Sequence, residues 1–282
     1  MHPEALFEFE LFGKEFGLYP YGLCIAIGLL ACVFVLFFYT KKFNFDPDVM
    51  DFTFFVAIFA IAGGFLSASL FQSLYEYIAT GVWSFPSGLT VMGGIVGGVV
   101  MFLLIYFGVG HFVFKSRNNI HVAQFNEILR IAPCCITVAH AFGRIGCLFA
   151  GCCHGEYLGK EYVFGGILMD VYGGPTGYYV PIQLYEALFL FALFAVLSVL
   201  YFKRFNVTAS VYLVVYGIWR IVIEEFRTDV GRPRLWIFTP SQWQSSIFIL
   251  LGIAIFLFFY FKKYPIFLKK SNEGATKQSK VE

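Results

Sequence analysis

Charged residues are scarce in this sequence. Only 13% of its 282 residues are Asp, Glu, Lys or Arg, whereas 59% are hydrophobic and 21% are aromatic. So few charged side chains cannot cover the surface of a water-soluble domain of this size. The composition therefore predicts an integral membrane protein in contact with the lipid bilayer. The net charge of +2 is too small to indicate a nucleic-acid partner, so none is expected.

Several other features of membrane and secreted proteins are also missing. No series of short segments alternates apolar and polar residues, which argues against a transmembrane barrel. No internal repeat is visible, so the inverted halves of many transporters are not supported. The amino-terminal stretch "MHPEALFEFELFGKEFGLYP" lacks the basic start and small-residue cleavage site of a signal peptide. The first apolar segment is therefore expected to direct membrane insertion itself.

The sequence instead contains seven apolar segments long enough to cross a hydrocarbon core of about 30 Å. They are Tyr21–Tyr39, Phe52–Tyr75, Gly88–Phe114, Ile128–Gly151, Pro181–Phe202, Val207–Ile223 and Ser241–Phe261. Backbone groups in lipid need partners within their own segment, so each segment should be a helix. We predict an all-α membrane protein, a seven-transmembrane-helix bundle over residues 1–264. A basic tail over 265–282 should be disordered.

The basic residues predict the orientation of this bundle. Twelve Lys and Arg residues fall on the side of the carboxyl terminus and five on the opposite side. Because cytoplasmic loops carry the excess of Lys and Arg, the amino terminus should be outside and the tail cytoplasmic. The longest connection, 152–180, follows the fourth span and contains short β-prone stretches. It should form a small extracytoplasmic cap.

Ionisable residues inside membrane spans are costly and are therefore candidates for function. His140, Arg144 and Cys147 lie on one face of the fourth span, and Tyr216, Arg220 and Glu224 lie on one face of the sixth. Both sets are near the outer end of their span, and Gln183, Tyr185 and Glu186 open the fifth span at the same level. An Arg and a Glu one turn apart can simply neutralise each other, and Glu127 with Arg130 is expected to be such a structural pair.

Two arginines on separate spans with few carboxylates nearby are harder to explain by neutralisation alone. Arg144 and Arg220 together indicate an excess of positive charge in a poorly solvated site. Such a site favours an anion, and in the outer leaflet the available anion is a lipid phosphate.

Several stretches resemble the signatures of prolipoprotein diacylglyceryl transferases. They are "GRIGC" at Gly143, "PIQLYEALF" at Pro181 and "YGIWRIVIEEFR" at Tyr216, with "YPYGLCIAIG" at Tyr19 and "GLTVMGGIVGG" at Gly88 fitting the same pattern. The resemblance implies a seven-helix enzyme of the bacterial inner membrane whose active site faces the extracytoplasmic side. It also implies transfer of the diacylglyceryl group of phosphatidylglycerol to the lipobox cysteine of a prolipoprotein, without a metal or organic cofactor.

The resemblance also implies roles for individual residues. By matching position, Arg144 and Arg220 would hold the lipid phosphate, and Glu224 would orient Arg220. The other matching positions are Tyr21 and Tyr216, which would line the site, Gly155, which closes the signature stretch, and the substrate contacts Gly93, Gly94 and Cys147.

Four positions depart from the family pattern. Met92 stands where the family has a histidine discussed as a base, Cys147 and Ala150 stand where it has asparagines, and Phe65 replaces an arginine. His140 or His154 would then be the base. Otherwise the chain is a diverged relative acting on another lipid or acceptor, or a phospholipid-binding or transport protein without enzymatic activity.

The seven cysteines divide into two groups. Cys24, Cys32, Cys134 and Cys135 lie within spans, where cysteine is usually an apolar filler. Cys147, Cys152 and Cys153 lie at the outer end of the fourth span beside Arg144.

Three interpretations of the second group are open. A disulfide from Cys147 to Cys152 or Cys153 suits an oxidising compartment, and a thiol with a lowered pKa suits a transient acceptor of the lipid group. A metal site with His140 or His154 is less favoured, because the two-residue gap typical of paired ligands is missing. An outer-face thiol oxidoreductase is the corresponding alternative function.

Overall fold

The computed structural model describes residues 6–11, 14–42, 45–83, 91–171, 174–228 and 237–262. This part of the chain is mostly helical. Its helices are α1 (Pro20–Lys42), α2 (Pro47–Thr80), α3 (Val91–Leu103), α4 (Gly110–Val113), α5 (Ile120–Phe149), α6 (Ile182–Phe202), α7 (Thr208–Glu224) and α8 (Pro240–Phe261). A π-helical segment, Leu104–Val109, joins α3 to α4, and a 3₁₀ turn, Lys115–Arg117, follows α4. The predicted basic tail lies outside the described residues.

Six helical segments of this part are long and apolar enough to cross a membrane. They are Pro20–Lys42, Pro47–Leu74, Gly93–Val113, Ile120–Phe149, Ile182–Phe202 and Ser241–Phe261. The chain is therefore a multi-pass membrane protein. The remaining predicted span, Val207–Ile223, forms the shorter helix α7 of 17 residues, which contains Arg220 and Glu224. The prediction of seven spans therefore stays a prediction.

The fourth span is longer than its hydropathy predicts. We expected it to begin at Ile128, but α5 begins at Ile120 and contains Pro133 in its interior. Its additional first turns include the buried His121, whose ring packs against Tyr106 and Phe114. The helix can begin among polar residues because aromatic side chains surround the polar ring of His121.

The chain divides into two compact units, Phe38–Ile128 and the remainder formed by Met1–Phe37 with Leu129–Glu282. In the first of these, glycines let α2 and α3 approach closely. A Cβ atom on Gly93 would lie 2.7 Å from Phe71 Cβ, and one on Gly97 would lie 2.1 Å from Ser67 Cβ. Small residues at such crossings are typical of membrane helices, whose association depends on close packing.

The other end of α2 is held by polar contacts. Asp46 caps α2 by accepting hydrogen bonds from the backbone of Asp48 and Val49. Arg117 pairs with both Asp46 and Asp48, so the turn after α4 is tied to the start of α2. The Arg117 guanidinium beside Asp46 lowers the pKa of that carboxyl below its ordinary value.

In the second unit, glycines again set the helix crossings. A Cβ on Gly28 of α1 would lie 2.9 Å from the carbonyl oxygen of Ala139 in α5, and one on Gly146 would lie 3.1 Å from Tyr21. A Cβ on Gly217 of α7 would similarly lie 2.7 Å from Ile249 of α8. These glycines allow α1 to contact α5, and α7 to contact α8, at backbone distance.

The segment 152–180 contains three short strands, Tyr157–Gly159 (β3), Ile167–Met169 (β4) and Gly177–Tyr179 (β5). They form an antiparallel sheet in the order β3-β5-β4. Met169, Val171 and Tyr179 form a buried cluster with Leu148 at the end of α5. Short strands therefore form where we predicted them. A separate hairpin, Phe7–Leu11 (β1) with Lys14–Leu18 (β2), precedes α1.

Arg130 has a structural role. Its guanidinium is almost completely buried and donates hydrogen bonds to the carbonyl oxygens of Phe205 at 3.2 Å and Tyr201 at 3.1 Å. In return, Thr208 Oγ1 donates to the carbonyl oxygen of Arg130 at 3.0 Å. Arg130 thus fastens α5 to the end of α6 and the turn that follows it. The predicted pairing of Arg130 with Glu127 stays a prediction.

We therefore expect Arg130→Met to destabilise the protein. It removes two charge-assisted hydrogen bonds, to the carbonyls of Tyr201 and Phe205, each worth about 1.5–3 kcal/mol. The thermal midpoint in detergent should fall by roughly 5 °C or more. Lys203→Met, which removes an exposed positive charge from the same turn, is the control and should leave the midpoint unchanged. Equal midpoints for the two variants would contradict this role.

Candidate active site

Arg144 of α5 lies in a buried polar cluster. Its Nε is 3.1 Å from Glu186 Oε2 of α6, and the Arg144 side chain is 13% exposed whereas that of Glu186 is 1% exposed. The same Nε donates to His140 Nε2 at 3.3 Å. Because His140 accepts at Nε2, its imidazole is neutral and the Nε2 lone pair is already engaged. The charge of Arg144 is thus balanced by a carboxylate from a neighbouring helix.

Tyr216 links this pair to α7. Its hydroxyl donates to Glu186 Oε1 at 3.3 Å, and its ring meets His140 edge-on, with ring centroids 5.2 Å apart. Tyr212, one turn earlier, stacks on Tyr216. Glu186 therefore accepts from residues on both α5 and α7. Glu186 thus joins these two helices within the cluster.

Arg220 and Glu224 form a second pair, on α7. Arg220 Nη2 is 2.8 Å from Glu224 Oε2, and it also donates to Ser241 Oγ at 3.1 Å. Glu224 Oε1 accepts from Thr239 Oγ1 at 2.9 Å. Thr239 and Ser241 are in place because Thr239 caps α8 through a capping box with Gln242. The start of α8 therefore holds the end of α7.

The two terminal nitrogens of Arg220 differ, because the contacts just described are made by Nη2. Arg220 Nη1 is buried and has no hydrogen-bond partner among the residues that the structure describes. A buried guanidinium N–H without an acceptor costs free energy, so native proteins normally satisfy such groups. The Arg220 side chain is only 9% exposed. Nη1 is thus a donor suited to an anionic ligand.

Both pairs belong to one electrostatic site, because Glu186 interacts with Arg144, Arg220 and Arg227. Our expectation of few carboxylates was wrong for the two central arginines. Arg144 has Glu186, Arg220 has Glu224, and Arg227 also lies 3.9 Å from Glu224. The excess positive charge is therefore smaller than predicted.

The end of α5 brings three cysteines together. The Sγ atoms of Cys147, Cys152 and Cys153 all lie within 4.8 Å of one another. All three are free thiols, so the predicted disulfide is not formed in this structure. Hydrogen bonds with the Cys147 and Cys152 thiols, helped by the nearby Arg227 and Arg144, lower the pKa of the Cys153 thiol below its ordinary value. The predicted role of such a thiol as a transient acceptor of the lipid group stays a prediction.

A glycine makes this turn possible. Gly151 has φ 66° and ends α5 in the left-handed conformation, while Cys152 N donates back to the carbonyl of Cys147. A Cβ on Gly151 would also lie 2.3 Å from the carbonyl oxygen of Asp170. Glycine is therefore required here by both backbone conformation and space.

His154 and Gly155 follow the cysteines in a closely packed segment. The His154 ring contacts Tyr179, and its Nδ1 is 2.9 Å from the carbonyl oxygen of Gly155. A Cβ on Gly155 would lie 2.8 Å from Ile182 Cγ1 and 3.1 Å from the carbonyl oxygen of Phe226. Packing alone thus explains the glycine. The roles predicted for His154 as a base and Gly155 as a substrate contact stay predictions.

Tyr21 lies at the start of α1, near the cysteines. It lines a cavity of about 400 Å³ with Phe149 and Ala150, which lie between Cys147 and Cys152 in the chain. The Tyr21 side chain also interacts electrostatically with the three thiols and with Arg144. Its predicted position at the edge of the site is compatible with these contacts.

Gly93 and Gly94 belong to the other compact unit. There Gly93 makes room for Phe71, and Gly94 lies near Ala68. The side chain of Met92 lies outside the described part of the chain. The predicted contact of these two glycines with substrate stays a prediction.

Sequence reasoning placed Glu186 at the level of the site but gave it no role there. The signal for a role was present, because a carboxylate inside the apolar stretch "PIQLYEALF" is as costly as the arginines that were singled out. Gln183, one turn earlier, was likewise given no role, and its Nε2 donates to the carbonyl of Cys152. Thr239 and Ser241 gave no comparable signal, because hydroxyl residues at a helix start are ordinary caps.

The fold and this cluster define a multi-pass helical membrane protein with a buried, arginine-containing polar site. The sequence model of the family described as prolipoprotein diacylglyceryl transferase matches residues 8–258. The chain therefore belongs to the prolipoprotein diacylglyceryl transferase family, as its signature stretches predicted.

Individual relatives match over most of their length. A protein of Clostridium tetani (strain Massachusetts / E88) is 29% identical over 266 residues, which cover 90% of this chain and 98% of that protein. One of Streptococcus pneumoniae (strain ATCC 700669 / Spain 23F-1) is 30% identical over 267 residues, covering 90% of this chain and 94% of that protein. Both are named phosphatidylglycerol–prolipoprotein diacylglyceryl transferase.

The Arg144–Glu186 pair leads to a prediction about stability. Glu186→Gln leaves Arg144 buried without its counter-charge, which should cost about 3–5 kcal/mol. Adding Arg144→Met should recover part of this loss, with a coupling energy of at least about 1 kcal/mol in a double-mutant cycle. Thermal midpoints in detergent measure all three variants, with the exposed Glu161→Gln as control. Strictly additive effects would show that the two side chains do not form a pair.

Proposed function

We propose that this chain transfers the diacylglyceryl group of phosphatidylglycerol to the lipobox cysteine of a prolipoprotein, a step in lipoprotein biosynthesis. Family membership and the names of its relatives supply the reaction. The observation in the chain itself that carries the proposal is Arg220 Nη1, a buried donor without a partner among the described residues.

The phosphate would lie against Arg220 and Arg144. Charge-assisted hydrogen bonds from guanidinium to phosphate are strong, and their strength increases where water is excluded. Glu224 and Ser241 both contact Arg220 Nη2, so they fix the guanidinium plane and leave Nη1 for the ligand. Glu224 would thus be the residue that orients Arg220, and Tyr216, Tyr21, Gly155 and Cys147 would complete the site.

The reaction is a displacement at a glyceryl carbon. The acceptor sulfur, as thiolate, forms a bond to this carbon, and the carbon–oxygen bond to phosphate breaks. The electron pair of that bond leaves with glycerol phosphate, whose additional negative charge is stabilised by Arg144 and Arg220. The thiol proton must pass to a base, and His154 suits this better than His140, because a histidine that donates from Nδ1 keeps the lone pair of Nε2. His140 Nε2 accepts from Arg144, and His154 Nδ1 faces a carbonyl oxygen.

We also propose the finer topology predicted from the sequence. In this arrangement α7 is the sixth of seven spans of a bundle in the bacterial inner membrane, with the amino terminus outside. The end of α5, the start of α6, the end of α7 and the start of α8 then share the extracytoplasmic side, where Arg144, Glu186, Glu224 and Thr239 converge. The segment 152–180 would be the cap on that side.

Replacing Arg220 tests the function. Purified protein in detergent is incubated with phosphatidylglycerol and a lipobox peptide, and the diacylglyceryl adduct on the peptide cysteine is measured by mass. Arg220→Ala should lower kcat/KM by about 10²–10³-fold, as loss of one charge-stabilising donor typically does. Arg117→Ala, which removes an arginine paired with Asp46 instead, should have no such effect.

Other outcomes identify the alternatives. Phospholipid binding that depends on Arg220, without an adduct from the wild type while the Clostridium tetani enzyme works in parallel, would indicate a lipid-binding or transport protein. Thiol oxidation or reduction that is lost with Cys152→Ser and unaffected by Arg220→Ala would indicate an oxidoreductase.

A further inference from the structure

Of the three cysteines after Arg144, only Cys147 has a role in the transfer described so far. We propose that Cys147, Cys152 and Cys153 bind one Zn²⁺ ion, and that the fourth position on the zinc receives the acceptor thiol. The second part rests on the proposed function, whereas the first does not.

The distances between the thiols suit a zinc ion. In a tetrahedral site with Zn–S bonds of about 2.3 Å, neighbouring sulfurs are roughly 3.8 Å apart. The three Sγ atoms already lie within 4.8 Å of one another. Each thiol therefore needs to move by about an ångström or less, which side-chain rotation can supply.

The backbone conformation brings these cysteines together although the two-residue gap typical of paired zinc ligands is missing. Cys153 has φ 63°, a left-handed conformation that is uncommon for residues other than glycine, Asn and Asp. With Gly151 also left-handed at φ 66°, the turn folds back so that Cys147 meets Cys152 and Cys153. Such conformations persist only where the surroundings enforce them, and they cluster at functional sites.

The surroundings also hold this turn and balance its charge. The buried Gln183 donates to the carbonyl of Cys152, which fixes the turn to the start of α6. Three thiolates and Zn²⁺ carry a net charge of −1. Arg227 interacts electrostatically with Cys153 and supplies positive charge beside the thiolates.

The fourth position is accessible. Cys152 is exposed, and the cavity of about 400 Å³ lined by Tyr21, Phe149 and Ala150 borders the turn that carries it. Three protein ligands with an exchangeable fourth position are typical of catalytic zinc, whereas structural zinc has four protein ligands. The site therefore has room for a ligand from another molecule.

A thiol on this position would need no separate base. Zinc deprotonates a coordinated thiol, and the proton passes to solvent. The bound sulfur then forms its bond to the glyceryl carbon, and the electron pair of the breaking carbon–oxygen bond leaves with glycerol phosphate. The product thioether is neutral and binds zinc weakly, so water replaces it. No atom changes oxidation state, and the missing third-span histidine, replaced by Met92, is not required.

Metal content tests the site without reference to activity. Protein purified without chelator and equilibrated with buffered Zn²⁺ should contain about one zinc per chain by elemental analysis. Cys32→Ala should retain this zinc, because Cys32 lies within α1, and Cys147→Ser/Cys152→Ser/Cys153→Ser should lose it. Replacing zinc by Co²⁺ in the wild type should give thiolate-to-cobalt charge-transfer bands. That measurement does not depend on whether the triple variant folds.

The site is overturned if the wild type holds no zinc and shows no such bands, if the triple variant retains the metal, or if two of the three cysteines form a disulfide in the active protein.

For the role of the site, removal of zinc should reduce transfer to the lipobox peptide at least tenfold, and adding Zn²⁺ should restore it. Full transfer by zinc-free protein overturns the acceptor role and leaves the transferase function intact. Bound zinc without any transfer overturns the transferase function, and with it the acceptor role, but supports the metal site.

Discussion

A charge buried in a membrane protein must be neutralised nearby, and this constraint explains most of the arrangement around Arg144. Because the guanidinium is nearly enclosed, it needs Glu186, and Glu186 lies on a different helix. Tyr216 then reaches the same carboxylate from a third helix. The polar contacts therefore determine which ends of α5, α6 and α7 meet. Hydrophobic contacts alone would not do so, since lipid tails solvate apolar faces equally well.

Close helix approach makes these contacts possible. Gly28 and Gly146 allow α1 to contact α5, and Gly217 allows α7 to contact α8, at distances that any larger side chain would prevent. The second approach places Thr239 and Ser241 at the start of α8 against Glu224 and Arg220. A packing feature that looks remote from chemistry thus sets the position of the arginine that we propose binds phosphate.

Much of the fold could be predicted because membrane spans and helix faces are local properties of the sequence. Hydropathy identified the helices, and a spacing of four residues placed Tyr216, Arg220 and Glu224 on one face. The partner of Arg144 could not be found in this way, since Glu186 meets it only through packing of α6 on α5. The meeting of Cys147 with Cys152 and Cys153 depends on two left-handed residues, and the sequence does not show that a cysteine adopts that conformation.

The carboxylates beside the two arginines affect catalysis as well as stability. Phosphatidylglycerol carries one negative charge on its phosphate, and the leaving glycerol phosphate approaches two. Arginines already balanced by Glu186 and Glu224 would bind the singly charged substrate only moderately. Their attraction increases as charge develops on the leaving oxygen, and only interactions that strengthen towards the transition state accelerate a reaction. Partial neutralisation would therefore favour turnover over tight binding of the lipid, and Arg220 Nη1, the donor without a partner in the described chain, is the group best placed to respond.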